Sequence, residues 1–149
     1  MAEATIRPAQ PADIPALLPL LHTLFAIEPD FRFDAGKAEA ALRALIGAPE
    51  AVVLVAETKA GICGMASMQT LISTAEGKAV GLVEDVVLAP EARGQGTGRR
   101  LVTTLLDIAK ARGYPRVQLL VDKENGDAKA FYARLGGAPT RMECIRFAP

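Results

Sequence analysis

Three groups of residues in this sequence have the types and spacing that chemistry needs. The first is the stretch Val86-Val87-Leu88-Ala89-Pro90-Glu91-Ala92-Arg93-Gly94-Gln95-Gly96-Thr97-Gly98-Arg99-Arg100-Leu101. It reads as a buried strand, a turn broken at Pro90 and Glu91, a glycine-rich loop and the start of a helix. A glycine loop that opens a helix gathers unpaired backbone N–H groups at the positive end of the helix dipole. That makes an anion site, most often a phosphate site. The second group is the pair Glu84-Asp85, two acids in an otherwise apolar strand, where burying carboxylates is costly without a use for them. The third is Tyr132, which falls off the apolar stripe Ala128-Phe131-Leu135 of a short helix, so its hydroxyl is free to face a cleft.

Two phosphate motifs fail on the glycine loop. A nucleotide P-loop needs lysine and then serine or threonine after its last glycine, and Gly98 is followed by Arg99 and Arg100. A dinucleotide fingerprint needs its third glycine one residue further on, where Arg99 stands, within a repeated strand-helix-strand series of which this chain has one unit.

The elements that must position these groups are legible in order. Thr5-Ile6-Arg7 is a short strand ended by Pro8, and Asp13 is placed to cap a helix carrying Leu17, Leu18, Leu20, Leu21, Leu24 and Phe25. Glu28-Pro29-Asp30-Phe31-Arg32-Phe33 is a loop, because the helix cannot continue through Pro29. Asp34 caps a second helix to about Ile46, with Gly47 at its end. Ala51 to Glu57, Ile62 to Leu71 and Gly81 to Leu88 are three strands in an antiparallel meander. The helix after the glycine loop spans Thr97 to Ala111 and is stopped by Gly113. Val117 to Val121 is apolar on both faces and reads as a buried central strand, parallel to the one before the crossover. A helix from Asp127 to Leu135 and a last strand from Met142 to Phe147 complete the chain.

Composition bounds the partners. The 149 residues suit a single domain spanning 1–149, and half of them are hydrophobic, enough for one packed core. Lysine plus arginine equals aspartate plus glutamate at 17 each, so no charge excess points to nucleic acid or to a membrane surface. No apolar run reaches the roughly 20 residues of a membrane span, and no signal pattern opens the chain, so a cytoplasmic location is expected. One histidine and two cysteines, Cys63 and Cys144, without metal spacing lead us to expect no metal site; free thiols are the expected state of the cysteines.

Arg93-x-x-Gly96-x-Gly98 after a strand and turn resembles the acetyl-coenzyme A motif of the GCN5-related N-acetyltransferase (GNAT) family, written Q/R-x-x-G-x-G/A. The order of elements is similar to that family over nearly the whole chain. The run Asn125-Gly126-Asp127-Ala128-Lys129-Ala130-Phe131-Tyr132, then Leu135-Gly136, resembles its asparagine-to-FYxxxGF segment, although Gly137 stands where the family has an aromatic. The resemblance implies a mixed α/β GNAT fold: a central, mostly antiparallel sheet of six to seven strands, about four flanking helices and one parallel, splayed strand pair. It implies acetyl-coenzyme A as co-substrate. The pyrophosphate would lie on Arg93, Gly94, Gln95, Gly96, Thr97, Gly98 and Arg99, the pantetheine arm along the main chain of Val86, Val87 and Leu88, with Asn125 a further contact.

The chemistry implied is acetyl transfer to a primary amine by direct attack in a ternary complex. An amine with a pKa of about 10 must lose a proton and the leaving thiolate must gain one. Tyr132 is the expected acid, at the family's proton-donor position, and Glu84 the expected base, acting through water. Asp85, its neighbour on the opposite strand face, is the other candidate. The acid pair resembles the small-amine branch of the family. Peptide acetyltransferases often carry a glutamate in the parallel strand, where Leu120 stands here. The family places the loop between the first two helices at the acceptor site, which makes Glu28, Asp30, Phe31 and Phe33 expected substrate-side residues. Acids with aromatics suit a cationic amine. The rival readings are a non-catalytic acyl-coenzyme A-binding module, a protein or peptide acceptor, and an acyl donor longer than acetyl. A homodimer is compatible with an apolar tail strand.

Overall fold

The computed structural model describes residues 3–149. Five strands form one sheet in the order β1-β2-β3-β4-β5: β1 Thr5–Pro8, β2 Val52–Thr58, β3 Gly61–Ser73, β4 Lys78–Leu88 and β5 Val117–Leu119. The first three pairings are antiparallel and β4–β5 is parallel. The four helices are α1 Ile14–Ile27, α2 Ala35–Gly47, α3 Thr97–Ala111 and α4 Gly126–Arg134.

Both sheet faces are covered, which is why β2 reads as the unbroken apolar run Val52-Val53-Leu54-Val55-Ala56 rather than an alternation. On one face Ile14, Leu17, Leu21 and Leu42 of α1 and α2 pack on Val53, Val55, Met65 and Val87. On the other Leu101, Leu105 and Ala109 of α3 pack on Leu54, Ala66, Met68 and Val83. The sheet is therefore the middle of three layers. Gly64 of β3 is crowded by the end of β4 and by α3: a Cβ there would lie 2.5 Å from Leu88 Cδ2, 3.2 Å from the Val87 carbonyl and 3.3 Å from Leu101 Cδ1.

Most expected boundaries hold within a few residues. Asp34 caps α2 by accepting from the Lys37 amide at 2.9 Å, and Gly113, at φ 74°, closes α3. Asp13 behaves differently from the expectation: its carboxylate makes no cap bond to α1. It accepts instead from the Gln10 amide and from Arg7, whose guanidinium also holds Glu57, and so ties β1 to the turn before α1.

Two expectations are overturned at the far edge of the sheet. No strand forms over residues 142–147, so the sheet has five strands rather than six or seven. Apolar and polar residues fail to alternate there, since Cys144 and Ile145 are adjacent, and Met142, Ile145 and Phe147 remain exposed. In consequence β5 is an edge strand of three residues instead of a buried central one, and Leu120 just beyond it is 70% exposed.

Candidate active site

The site is built where β4 and β5 part. Their parallel pairing covers Gly81, Leu82 and Val83, against Val117, Gln118 and Leu119, and stops. β4 continues to Leu88, held on its other side by β3. The backbone of Glu84 to Leu88 thus faces an opening on the β5 side, with peptide groups available to a ligand.

A bulge lies inside that segment. Met65 pairs with Val87 but Ser67 pairs with Glu84, so Asp85 and Val86 share the single partner position of Ala66. Asp85 has φ 54°, a left-handed conformation that a non-glycine residue adopts at a cost. The buried Ser67 hydroxyl secures the bulge by donating to the Glu84 carbonyl at 3.0 Å. The extra residue shifts the phase of the strand: Val83 faces the α3 layer, yet Val87, four residues on, faces the α1 layer. The simple alternation that would put Glu84 and Asp85 on opposite faces is therefore interrupted.

Five acids, Glu28, Asp30, Glu84, Asp85 and Asp122, converge here with Tyr132. Glu84 is exposed, while Asp85 is largely buried and its pKa is pushed up to about 6, first by burial and then by the charges of Glu84 and Glu28. Glu28, at the C-terminal end of α1, is raised by burial and by Asp122, Glu84 and Asp30. Tyr132 on α4 is pushed up to about 12, by burial and then by Glu28. Glu28 thus lies within electrostatic reach of all the others. Phe131 packs edge-on against Tyr132 with ring centroids 5.0 Å apart, and the Gly137 amide donates to the Tyr132 carbonyl at 2.9 Å, fixing the helix end that carries the phenol.

The anion loop sits at the same end of β4. Gly94 and Gly96 have φ 75° and 81°, and nothing lies within 4 Å of a Cβ built on either. Gly96 is the N-cap of α3 and supplies no side-chain cap, so the first amides of that helix are open to a ligand. Gly98 is buried against Leu88 and Phe131, joining loop, strand end and α4. The Arg93 guanidinium donates to the Leu88 carbonyl at 3.4 Å, and Gln95 Nε2 to the Glu91 carbonyl at 3.0 Å. Thr97 is buried. Arg99 lines a groove of about 500 Å³ between β1 and α3. Arg100 is spent on structure, bonding the Ala4 carbonyl and pairing with Glu3. Asn125 caps α4 by accepting from the Ala128 amide at 3.0 Å, a sufficient local reason for an asparagine there.

In the loop after α1, where the sequence places substrate-side residues, Phe31 meets Phe25 at 5.8 Å, Phe33 meets Phe25 at 6.4 Å, and Phe33 meets His22 at 4.9 Å with the rings tilted by 40°. Phe33 belongs to the α1 core layer, whereas Phe31 is 47% exposed. Asp30 and Phe31 together receive Arg146 from the tail. Sequence reasoning missed Ser67, Asp122 and Arg146. A serine buried among Met65, Ala66 and Met68 is a signal of sorts for Ser67; the other two are brought in by the tertiary fold alone. Among the described residues no cluster of histidine, cysteine and acids could hold a metal ion, and no helix is long and apolar enough to cross a membrane.

An open helix N-terminus beside two parting parallel strands makes a site for an extended ligand with an anionic group. The family model for the acetyltransferase (GNAT) family matches residues 18–137. The chain belongs to that family, and is an acetyltransferase of the GNAT type. It is 28% identical over 131 residues to the uncharacterized N-acetyltransferase YhfO of Bacillus subtilis, covering 88% of this chain and 87% of that one. Among solved structures, a transcriptional regulator from Bacillus halodurans superposes with a TM-score of 0.84 at 27% identity, covering 97% of this chain and 99% of that one. The glucosamine-6-phosphate N-acetyltransferase of Arabidopsis thaliana shares the fold, with a TM-score of 0.80 at 21% identity over 98% of this chain and 99% of that one.

Proposed function

We infer that this acetyltransferase moves the acetyl group of acetyl-coenzyme A onto a primary amine of a small molecule, by direct attack while both substrates are bound. The observation that carries the reading is that β4 runs five residues past its last pairing with β5, at Val83, with Glu84, Asp85 and Tyr132 all within the field of Glu28. A module that only bound acyl-coenzyme A would need neither a strained acid nor a buried phenol there.

Acetyl-coenzyme A supplies an activated acyl carbon as a thioester. The residues present fit it. The open amides from Gly94 to Arg99 would take the pyrophosphate, with Arg93 nearby, and the main chain of Val86 to Leu88, without a strand partner on its β5 side, would take the pantetheine arm. One N–H of that segment would polarise the thioester carbonyl as charge develops on its oxygen. The carbon–nitrogen bond forms as the carbon–sulfur bond breaks, and the amine proton passes to a carboxylate directly or through water. Asp85 suits that task better than Glu84: its pKa of about 6 is nearer the working pH than that of an ordinary carboxylate, yet leaves it ionised at neutrality. Tyr132, raised to about 12, keeps its proton at neutral pH and offers a hydrogen bond to the leaving sulfur. Outright transfer to a thiolate of pKa about 8.5 is uphill, because burial and then the charge of Glu28 raise the phenol further above it; a cation near Glu28 lessens the second cause only.

Coenzyme A release measured across a panel of amines tests the reading. Acetylation of at least one small amine is expected; tight binding of acetyl-coenzyme A with no amine acetylated at any pH overturns it in favour of the binding module. Tyr132→Phe should lower kcat by about ten- to a hundredfold and leave the KM for acetyl-coenzyme A unchanged. Unaltered turnover would remove Tyr132 from the donor role.

A further inference from the structure

The chain end holds a cation against the acceptor loop. Arg146, three residues from the C-terminus, donates from Nη1 to Asp30 Oδ2 at 3.2 Å, and its Cζ stands 5.1 Å from the centroid of the Phe31 ring. A carboxylate and an aromatic face around one guanidinium form a site for an organic cation, an ammonium included. Residues 138–149 are otherwise loosely attached: Met142, Ile145 and Phe147 are 79–87% exposed, and the tail forms no strand. Both partners in the clasp are more than half exposed, at 53% and 64%, so the contact is weak enough to exchange. Asp30 is also one of the charges felt by Glu28, which in turn acts on Asp85 and Tyr132. The clasp therefore sits at the rim of the same acidic cluster.

We propose that Arg146 is an intramolecular competitor for the acceptor: its guanidinium occupies, on Asp30 and Phe31, the place of a second, distal positive charge of a dicationic amine. The inference rests on the reading that the Glu28–Phe33 loop lines the acceptor site. A diamine whose far ammonium reaches Asp30 displaces Arg146 and releases the tail. A monoamine of the same length engages only the acids near Tyr132 and leaves the tail in place. The device acts by charge number: only an acceptor with a second cation must displace the tail, so Arg146 raises the KM of the diamine and leaves that of the monoamine alone. Asp30 gains a partner in either state and is never left as an uncompensated charge beside Glu28.

Hydrogen exchange of residues 138–149, with and without linear diamines and length-matched monoamines in the presence of acetyl-coenzyme A analogues, reads the device without turnover. The diamine should speed exchange of the tail amides and the monoamine should not. Arg146→Ala should free the tail in the absence of any amine and lower the diamine KM about fivefold, with the monoamine KM unchanged, a size set by one exposed ion pair and one exposed cation–π contact. Asp30→Asn should free the tail and raise the diamine KM. Tail exchange indifferent to diamine, or equal KM changes for both amines in Arg146→Ala, overturns the proposal. Tail release by diamine without acetylation of any amine would leave the competitor standing and defeat the proposed reaction. Acetylation with an indifferent tail would do the reverse.

Discussion

The two halves of the candidate active site are made in different ways. The half proposed for the acyl donor is backbone: two glycines at positive φ, a helix N-terminus without a side-chain cap, and a strand that outlasts its partner. The half proposed for the acceptor is side chain: Glu28 from the end of α1, Glu84 and Asp85 from β4, Asp122 beyond β5, Tyr132 from α4, Asp30 and Phe31 from a loop and Arg146 from the tail. A main-chain site is indifferent to what is delivered next to it. A side-chain site gathered from six parts of the chain can change its specificity one residue at a time while the donor half stays fixed. The two halves meet at the bulge, where Asp85 belongs to the donor strand by its backbone and to the acceptor cluster by its carboxylate.

The largest effect is expected from Asp85, where the halves join. Asp85→Asn should lower kcat by about a hundredfold or more if its carboxylate takes the amine proton, and remove the limb of the pH profile near 6 that its ionisation produces. The same variant should be more stable. The folded-state pKa of about 6 lies above the ordinary aspartate value, so the folded protein holds this proton more tightly than the unfolded chain does. Its contribution is fully present below about pH 4 and is lost as pH rises through about 6. Asparagine stays neutral and tolerates positive φ. At pH 7.5 urea unfolding should show the variant ahead by on the order of 2–3 kcal/mol, with the gap closing toward pH 4. Glu84→Gln should instead lower the Asp85 pKa by removing a neighbouring charge, and move that limb to lower pH. Loss of activity in Glu84→Gln with a normal Asp85→Asn would reverse the two roles.

A smaller effect, confined to the donor half, is expected from Gly96→Ala. The new methyl meets nothing within 4 Å, so the fold survives at the cost of about 1 kcal/mol for a left-handed alanine. The methyl stands where an anion would approach the first amides of α3. The KM for acetyl-coenzyme A should rise about tenfold in initial-rate measurements while kcat at saturation and the amine KM stay put. An equal rise in both KM values would break the division between the halves.

That division also decides what could be read in advance. Gly94, Gly96 and Gly98 were legible because the loop's work is local: glycine spacing, strand before and helix after all lie within sixteen residues. The same locality made the meander and α3 legible. The bulge was not, because nothing in Val83-Glu84-Asp85-Val86-Val87 says that one residue will be left over; its register is set by β3 and by the Ser67 hydroxyl. The strand expected over residues 142–147 failed for a related reason. Extended pairing needs an edge long enough to receive it, and β5 offers three residues. Arg146 finds its partner 116 positions away, a relation that no window of sequence contains.

Ser67 gives the finest test of whether the bulge is what joins the two halves. Its side chain is buried at 1% exposure, carries no charge, and has its hydroxyl proton committed to the Glu84 carbonyl, so its part is positional. What it does is donate to the Glu84 carbonyl across the bulge. Ser67→Ala leaves that carbonyl without its partner at a cost of about 1 kcal/mol in urea unfolding. If the bulge aims Asp85, kcat should also fall severalfold, and the limb near pH 6 should shift as the carboxylate changes its burial and its distance from Glu28. The KM for acetyl-coenzyme A tells how far the disturbance reaches. A main chain held by the rest of the β3–β4 ladder should keep it within about twofold, because Val87 and Leu88 retain their own pairing with Met65 and Gly64. A variant that lost stability with neither rate nor pH profile altered would show the bulge to be a packing solution, and Asp85 to be strained for reasons unconnected with the amine.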